Sequence, residues 1–440
     1  MQPRVLLIGG NFYPEPIGIG KYNGEMIDWL AQNGYDCTVV TSFPYYPQWK
    51  VQQPYDKKAL WYRKEVKYYK PFYEKNISIY RCPQYVPSTP TGTKRMLNGL
   101  SFFLSSFMVI ISLLFKKKYD YVISVVPSFE TGLLAILYKK IRGGKFLYHI
   151  QDLQIDAARD LNIIKSKPLI NMLFGIEKYI LKRADVVSSV SSGMMEKVTL
   201  KCGRRVQFFP NWVDYSVIFP DNNKAAMKEE FGFKSTDKVI LYSGAIGEKQ
   251  GLENILYSAK AFSDQPEVKF VVCGSGPYLA KLHDLKDRLK IDNVTFLSTQ
   301  PIGKLNHFLN MADLHLIIQK ANATDLVMPS KLTNILAVGG VPIVTTVKNS
   351  SLYQLVAEHN LGLIAEPDDV MSLIDAIRKG IGTDTTELSL NGKMYAMENF
   401  SISNIISKYS NHLEPSYEPI STTALGYELR RQFTPMEAKI

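Results

Sequence analysis

The residues best suited to chemistry lie late in the chain, in Met328–Gly340, MPSKLTNILAVGG. Pro329 stands where a helix can begin, because its missing N–H costs nothing in a first turn. Ser330 and Lys331 then present a hydroxyl, free backbone donors and an ammonium to whatever precedes the helix. A diphosphate fits that set of groups; an ordinary capped helix with a solvated lysine is the structural alternative. Two glycine-rich segments lie upstream. Ser243–Gly251, SGAIGEKQG, sets Gly244, Gly247 and Lys249 after an apolar run and before a helical pattern, where a backbone-lined phosphate pocket with one cation forms. Gly274-Ser275-Gly276-Pro277 follows the next apolar run in the same way.

A further loop, Gly9–Tyr22 (GGNFYPEPIGIGKY), brings Gly18, Gly20 and Lys21 to the start of the first helical pattern. Glycines there allow a ligand or phosphate to approach the backbone closely, though a plain Gly/Pro turn has the same composition. It is not a dinucleotide fingerprint. The glycines come after two prolines, and Ser42 rather than an acid closes the second apolar run. Asp152 ends the strand-like His149-Ile150-Gln151-Asp152, placed either to take a proton from a hydroxyl or to form a turn.

Metal chemistry has no foothold in this pattern. The four cysteines (Cys37, Cys82, Cys202, Cys273) and six histidines are scattered, with no C-x-x-C or H-E-x-x-H spacing. Such cysteine usage fits a reducing compartment. The opening MQPRVLLIGGNFYPEP has too short an apolar run for a signal peptide and reads as a strand, so the expected location is cytoplasmic. A formal charge of +11 points to an acidic partner such as a nucleotide or an anionic lipid. Nothing resembles an RNA-binding module, so nucleic acid is not expected.

The elements that must hold these residues alternate. Arg4–Gly10 reads as a buried strand, Lys21–Gln32 as a helix and Tyr35–Ser42 as a strand, a βαβ unit with a parallel sheet. Further strands are expected at Tyr119–Val126, Lys145–Ile150, Asp185–Val190 and Val206–Phe209, before a break at Pro210-Asn211-Trp212-Val213-Asp214. A second series follows with strands at Val239–Ser243, Val268–Cys273, Val294–Leu297, Leu314–Ile318, Ile343–Thr346 and Gly362–Ala365. The expected fold class is α/β: two Rossmann-like, doubly wound parallel-sheet domains, residues 1–214 and 215–393, facing across a ligand-binding cleft. Residues 414–440 have no sustained period and read as a tail.

Two segments point to a membrane. Leu100–Phe115 is sixteen residues whose only polar members are serines, followed by three lysines. As a helix it extends about 24 Å, short of a bilayer core of roughly 30 Å, which favours a buried helix over an interfacial or spanning one. Lys57–Arg81 carries eight basic and two acidic residues among seven aromatic ones, and reads as a loop suited to headgroups or a pyrophosphate-linked ligand. A solvated excursion that packs its rings on the first domain is the alternative.

Together these residues resemble the GT-B glycosyltransferases of family 4, closest to those of colanic-acid biosynthesis. The resemblance runs from Arg4 to about Leu413. It rests on the loop to Gly20, Gln151-Asp152-Leu153, Pro210–Asp214, Ser243–Gly251, Gly274–Pro277 and Pro329–Lys331. It implies a retaining transferase that uses no metal or other cofactor. The second domain would hold a GDP- or UDP-linked sugar, with a lean toward a GDP-linked fucose-like donor, through Gly244, Gly247, Gly274, Gly276, Ser330 and Asn334. Lys249 and Lys331 would neutralise the diphosphate. The first domain would hold a polyprenyl-diphosphate-linked glycan acceptor, with Asp152 on the acceptor side, during exopolysaccharide or capsule synthesis. Helices near 394–413 would cross back to it. The enzyme would sit on the anionic inner face of the plasma membrane through residues 57–81 and 100–118. Two features depart from the family pattern: of a glutamate pair that many members carry, Leu326 takes the first place, with Asp325 one residue out of register, and Asn334 the second; and Ala245 stands where many have an arginine. A nucleotide-sugar epimerase and a non-catalytic nucleotide-sugar- or glycan-binding subunit are the competing readings.

Overall fold

Continuous apolar strands must be covered on both faces, and here they assemble into two separate sheets. The computed structural model describes residues 2–410 apart from 16–17, 57–58, 69–75, 161–163, 165, 322–329 and 349. The first sheet uses β1 (Arg4–Ile8), β2 (Asp36–Ser42), β3 (Arg63–Tyr68), β4 (Asn76–Cys82), β5 (Tyr121–Val126), β6 (Lys145–Ile150), β7 (Val186–Ser189) and β8 (Gln207–Phe208). Their order is β3-β4-β2-β1-β5-β6-β7-β8. The second sheet uses β9 (Lys238–Ser243), β10 (Val268–Cys273), β11 (Val294–Leu297), β12 (Leu314–Ile317), β13 (Val341–Thr345) and β14 (Leu363–Ala365), in the order β11-β10-β9-β12-β13-β14. Every pairing is parallel except β3 with β4.

The strand order reverses between β1 and β5 in one sheet and between β9 and β12 in the other. At such a reversal the flanking connections run to opposite faces, which opens a crevice at the strands' carboxyl ends. Each sheet has an apolar layer on both faces. Leu6, Val122 and Phe146 face one layer while Val5, Leu7 and Leu147 face the other. In the second sheet Ile240 and Phe270 face one side, Val239 and Val271 the opposite one. This alternation is the strand period of two acting on a sheet buried on both sides.

The chain ends by packing on its beginning. Ile405, Ile406 and Tyr409 of the helix Ile402–Ser410 are buried in the same layer as Val5, Leu7 and Ile27. Each such burial contributes roughly 1.5–3 kcal/mol. Ser188 links the Tyr409 hydroxyl, 3.2 Å away, to His149 Nδ1, 3.0 Å away. Nearby, the Val213 N–H donates to the Phe400 carbonyl at 2.8 Å, so the outgoing and returning connections run side by side.

Three sequence expectations change. The basic–aromatic stretch 57–81 is not one loop, because β3 and β4 form an antiparallel pair at the sheet edge and β4 joins β2. Alternating Lys/Arg with apolar residues conceals an edge strand, whose outer face is solvated. The first helix, α1 (Gly18–Gln32), begins at Gly18 rather than Lys21, so Gly18 and Gly20 are part of its first turn. The apolar helix, α2 (Gly92–Leu114), has 23 residues. That makes it about 34 Å long at 1.5 Å per residue, so the expectation that it falls short of a bilayer is wrong. Polar residues and glycines at 92–99 had masked its first two turns. The proposed tail lies outside the described residues.

Candidate functional site

The second sheet's crevice is built by glycines that let two loops touch backbone to backbone. The Gly244 N–H donates to the Cys273 carbonyl at 2.9 Å, and the Ile246 N–H to the Ser275 carbonyl at 3.0 Å. Gly244, Gly274 and Gly276 have φ of 155°, 151° and 159°. A Cβ on Gly274 would strike the Gly244 carbonyl oxygen, and one on Gly276 the Ile246 carbonyl oxygen. Gly274 and Gly276 therefore serve first to seat the β10 loop under the β9 loop. Gly247 precedes a single 3-10 turn, Glu248–Gln250. Lys249 lies in that turn; its side chain is outside the described residues.

Beneath this loop is the ammonium of Lys331, carried by the helix Ser330–Ala337. Its Nζ stands 3.8 Å from the centre of the Tyr242 ring and 3.2 Å from where a Cβ on Gly244 would be. Tyr242 is fixed by donating its hydroxyl to the Ala245 carbonyl at 2.7 Å. Among the described residues no carboxylate pairs with Lys331. Part of the side chain is solvent-accessible, but dense surroundings strip water from the ammonium and lower its pKa to about 7. An aromatic face is a poor substitute for a counter-charge. A dehydrated cation with no carboxylate partner among the described residues, at a strand-order reversal, has the charge to receive an anion. Asn334 lies one turn further along the same helix, half-buried; Ala245 is exposed at the loop tip. Ser330 opens the helix, with its side chain and the residues before it (322–329, including Leu326 and Pro329) outside the described residues.

Sequence reasoning missed the groups beside this crevice. Lys320 follows β12 and reaches Glu253 Oε1 at 3.5 Å. Asp368, after β14, accepts the Ala321 N–H at 2.9 Å. Gln250 Oε1 and Glu253 Oε2 are buried without a hydrogen-bond partner among the described residues. Lys320 was legible as a strand-end residue at the reversal; its partners form no motif.

The first sheet's crevice is organised around Glu15, which no motif singled out. Its side chain is fully buried. Oε1 accepts the N–H groups of Tyr45 (3.0 Å) and Tyr46 (2.9 Å), and Oε2 accepts Asn11 Nδ2 at 3.0 Å. Burial raises its pKa while those bonds and Arg81 oppose the shift. Gly20 packs on this carboxylate, where any Cβ would collide. Gly18, with φ of 64°, is exposed at the head of α1. Lys21 is turned along α1 to Glu25 at 3.6 Å, and Glu25 also accepts Trp212 Nε1 at 2.7 Å. The structure thus brings Gly18 to the crevice mouth and engages Gly20 and Lys21 in holding the loop.

Asp152 follows β6 at its carboxyl end, exposed to solvent yet walled in enough that desolvation raises its carboxyl above the ordinary range. The Leu153 amide and then Arg95, at the end of the first turn of α2, oppose that shift. The Arg95 guanidinium is 5.2 Å from the Trp49 ring. His149 points away from the crevice: burial lowers its pKa to about 3, and its ring bonds Ser188. Glu130, just before α3 (Thr131–Arg142), has a carboxyl raised to about 7 by burial, with Oε1 unpartnered among the described residues. Among those residues no three metal-binding side chains converge.

Comparison with known proteins gives these crevices a context. The family described as Glycosyl transferases group 1 matches residues 223–390, and the Glycosyl transferase 4-like domain matches 18–212. The putative colanic acid biosynthesis glycosyl transferase WcaI of Escherichia coli (strain K12) is 36% identical over 386 residues, 86% of this chain and 92% of the relative. The probable glycosyltransferase WbjE of Pseudomonas aeruginosa is 20% identical, covering 74% of this chain and 83% of its own. Sucrose-phosphate synthase from Thermosynechococcus elongatus superposes with a TM-score of 0.66 at 15% identity, covering 98% of this chain and 99% of that one. Anabaena HepE in complex with UDP and glucose gives 0.64 at 13% identity, covering 93% and 99%. These likenesses identify the two-sheet architecture as the GT-B fold.

Proposed function

The chain belongs to the group 1 glycosyltransferases, and from that premise we propose that it moves a sugar from a nucleotide-diphosphate donor to a lipid-linked glycan in polysaccharide synthesis. The observation that carries the donor half is Lys331: an ammonium without a carboxylate partner among the described residues, held by Tyr242 under the β9 loop at a strand-order reversal. As the sugar–phosphate bond breaks, negative charge grows on the diphosphate. A cation already stripped of water interacts with that charge more strongly than a solvated one and needs no reorganisation. The amide groups at the head of the helix Ser330–Ala337 add their dipole in the same direction. Lys249 would approach from the Glu248–Gln250 turn, and Asn334 offers an amide to a sugar or ribose hydroxyl. Neutralisation by lysines and a helix end supplies what a divalent ion supplies elsewhere, so the reaction is proposed to need no metal.

On the acceptor side, Asp152 is the carboxylate nearest to orienting an incoming hydroxyl, with Arg95 as its balancing charge. By family resemblance the anomeric configuration is retained. The WcaI relative supports a colanic-acid-like polysaccharide; by family resemblance the donor leans toward a GDP-linked sugar, and the proposed location is the cytoplasmic face of the membrane.

The test is a melting-temperature screen with UDP-, GDP- and ADP-linked sugars, since a ligand of the native state raises the midpoint. The matching donor is then incubated with and without lipid-linked acceptor. The transferase reading expects a shift with one base and sugar release that depends on acceptor. Conversion of the donor sugar with no acceptor present would instead assign the protein as an epimerase.

A further inference from the structure

The carboxyl ends of four neighbouring strands, β2, β1, β5 and β6, carry groups that the donor chemistry leaves unused. After β2 comes an aromatic loop, Phe43–Trp49 (FPYYPQW). Glu15 holds it through the Tyr45 and Tyr46 amides. Gln52 closes it, donating its N–H to the Pro44 carbonyl at 2.9 Å and its Nε2 to the Tyr46 carbonyl at 2.8 Å. A buried carboxylate is a costly anchor for an ordinary surface loop. What it holds here is a pair of rings. Tyr46 is 39% exposed and lies over the head of α1, where a Cβ on Gly18 would be 3.6 Å from it. Trp49 is half-buried with φ of 52°, a left-handed conformation that bulky side chains adopt chiefly where a site requires it.

Contacts run from that indole across the mouth of the first crevice. Its ring lies 5.5 Å from the Tyr45 ring and 5.2 Å from the Arg95 guanidinium. Arg95 acts in turn on Asp152, after β6. One turn along α2 from Arg95 is Gly99, where a Cβ would stand 2.9 Å from Glu130 Oε1. Glycine weakens a helix interior, and here its missing side chain is the room the carboxyl occupies. Glu130, after β5, therefore packs against the same turns of α2, and Tyr45 feels its charge. Its Oε1 is buried with no hydrogen-bond partner among the described residues, and burial raises the carboxyl to about 7. Such a carboxyl is incompletely bonded until a donor reaches it.

The composition of this mouth decides what it takes. Two carboxyls, Glu130 and Asp152, stand against one guanidinium, so a diphosphate meets no surplus of positive charge. That guanidinium is also partly engaged, since its Nε donates to the Pro90 carbonyl at 3.2 Å. An uncharged pyranose escapes the repulsion. Its hydroxyls donate to carboxyls and accept from a guanidinium, while its C–H face covers an aromatic ring.

We propose that the mouth of the first crevice reads an uncharged sugar ring of the acceptor, seated against Trp49 and Tyr46 with a hydroxyl on Glu130, and excludes the acceptor's diphosphate. This deepens the lipid-linked acceptor reading and rests on it. Asp152 orients the reacting hydroxyl, and Glu130 selects the sugar that carries it.

The full-length protein has four tryptophans, so isotope labelling of their indole N–H groups gives four side-chain NMR signals, of which Trp49→Phe identifies one. Methyl glycosides of glucose, galactose and fucose are titrated in turn to about 50 mM, where a site of millimolar affinity fills. Inorganic pyrophosphate is titrated into the Lys331→Met protein, so that any response belongs to the first crevice. A saturable shift of the Trp49 signal is expected with at least one glycoside, and none with pyrophosphate. Glu130→Gln, which keeps the side chain's size, should weaken that glycoside about ten- to a hundredfold. Tyr46→Ala, at an exposed ring, should weaken it as well. No shift with any of the three glycosides overturns the proposal. So does a Trp49 shift with pyrophosphate, or an affinity unchanged in both variants. Acceptor-dependent sugar release by a protein that fails these tests leaves the transferase reading standing without this site. A glycoside that moves Trp49 in a protein answering no nucleotide sugar supports the site and counts against the donor reading instead.

Discussion

At the carboxyl ends of the first sheet, Glu15 takes three hydrogen bonds, Lys21 pairs with Glu25 and Arg81 pairs with Glu65. At the equivalent ends of the second sheet, Lys331 faces an aromatic ring and no acid among the described residues. Both crevices sit where the strand order reverses, so the difference is not one of topology. A paired charge holds loops in place and has little left for a ligand. An unpaired, dehydrated one is held at a cost to stability and repays it when an anion arrives. The charges of Glu15, Lys21 and Arg81 therefore shape the first crevice, Glu130 excepted, while the second keeps Lys331 without an acidic partner among the described residues.

The largest expected effect follows from that contrast. Lys331→Met should lower donor turnover by about 10²–10³, the cost of removing one preorganised electrostatic contact. The same change should leave the ligand-free protein as stable as the wild type or more so, since it replaces a partly dehydrated ammonium with an apolar chain. Turnover assays and urea melts on one preparation read both halves. Wild-type turnover would end the contrast.

Glu15→Ala is the mirror experiment. It leaves the Tyr45 and Tyr46 amides and the Asn11 side chain facing a cavity in a buried setting. A loss of about 3 kcal/mol of unfolding free energy is expected. If the folded fraction of this variant bound donor normally while the urea midpoint fell, the two crevices would be separable as stated. A stable protein with lost donor binding would reverse their roles.

The lowered pKa of Lys331 makes a smaller effect measurable. Near pH 7 the lysine of the free protein is partly deprotonated, because its pKa is about 7. A bound diphosphate favours the ammonium, so binding should draw in roughly half a proton at pH 7 and more at pH 8. Titration calorimetry in buffers of different ionisation heat measures this, and Lys331→Met should abolish it. The stability sign is the reverse of a salt-bridged lysine's. The penalty for the buried cation is fully present below pH 7 and relieved as pH rises from about 7 toward 10.5. The variant should lack that rise.

How much of this the sequence disclosed depended on how local the cause was. Buried parallel strands are continuous apolar runs, so β1, β9 and β10 could be read directly. β3 could not, since RKEVKY looks like solvated chain until β4 lies beside it. Lys331 was legible because Pro-Ser-Lys at a helix start carries its own physics. Glu15 was not: its partners are amides thirty residues away, brought near only by the β1–β2 pairing. Arg95 and Asp152 are separated by the rest of α2 and by β5, α3 and β6, and neither residue signals the other. The length of α2 was misjudged for a related reason, since its first two turns are held by contacts such as Asn98 Nδ2 to the Tyr85 carbonyl at 2.6 Å.

The smallest effect concerns the helix that returns to the first sheet. Tyr409 stacks on Phe209 with ring centres 4.2 Å apart, and its hydroxyl meets Ser188. Tyr409→Phe keeps the stack and removes the hydrogen bond, leaving Ser188 with His149 as its remaining side-chain partner. The expected loss is about 1 kcal/mol of unfolding free energy, typical of one hydrogen bond. Tyr409→Ala also removes the ring and should cost about 3 kcal/mol or more. Neither residue touches the second sheet's crevice, so the nucleotide-sugar melting shift should match the wild type's in both variants once the lower starting midpoint is subtracted. A Tyr409→Phe protein of unchanged stability but altered nucleotide response would mean that the returning helix couples the two crevices, and that they do not divide their labour independently.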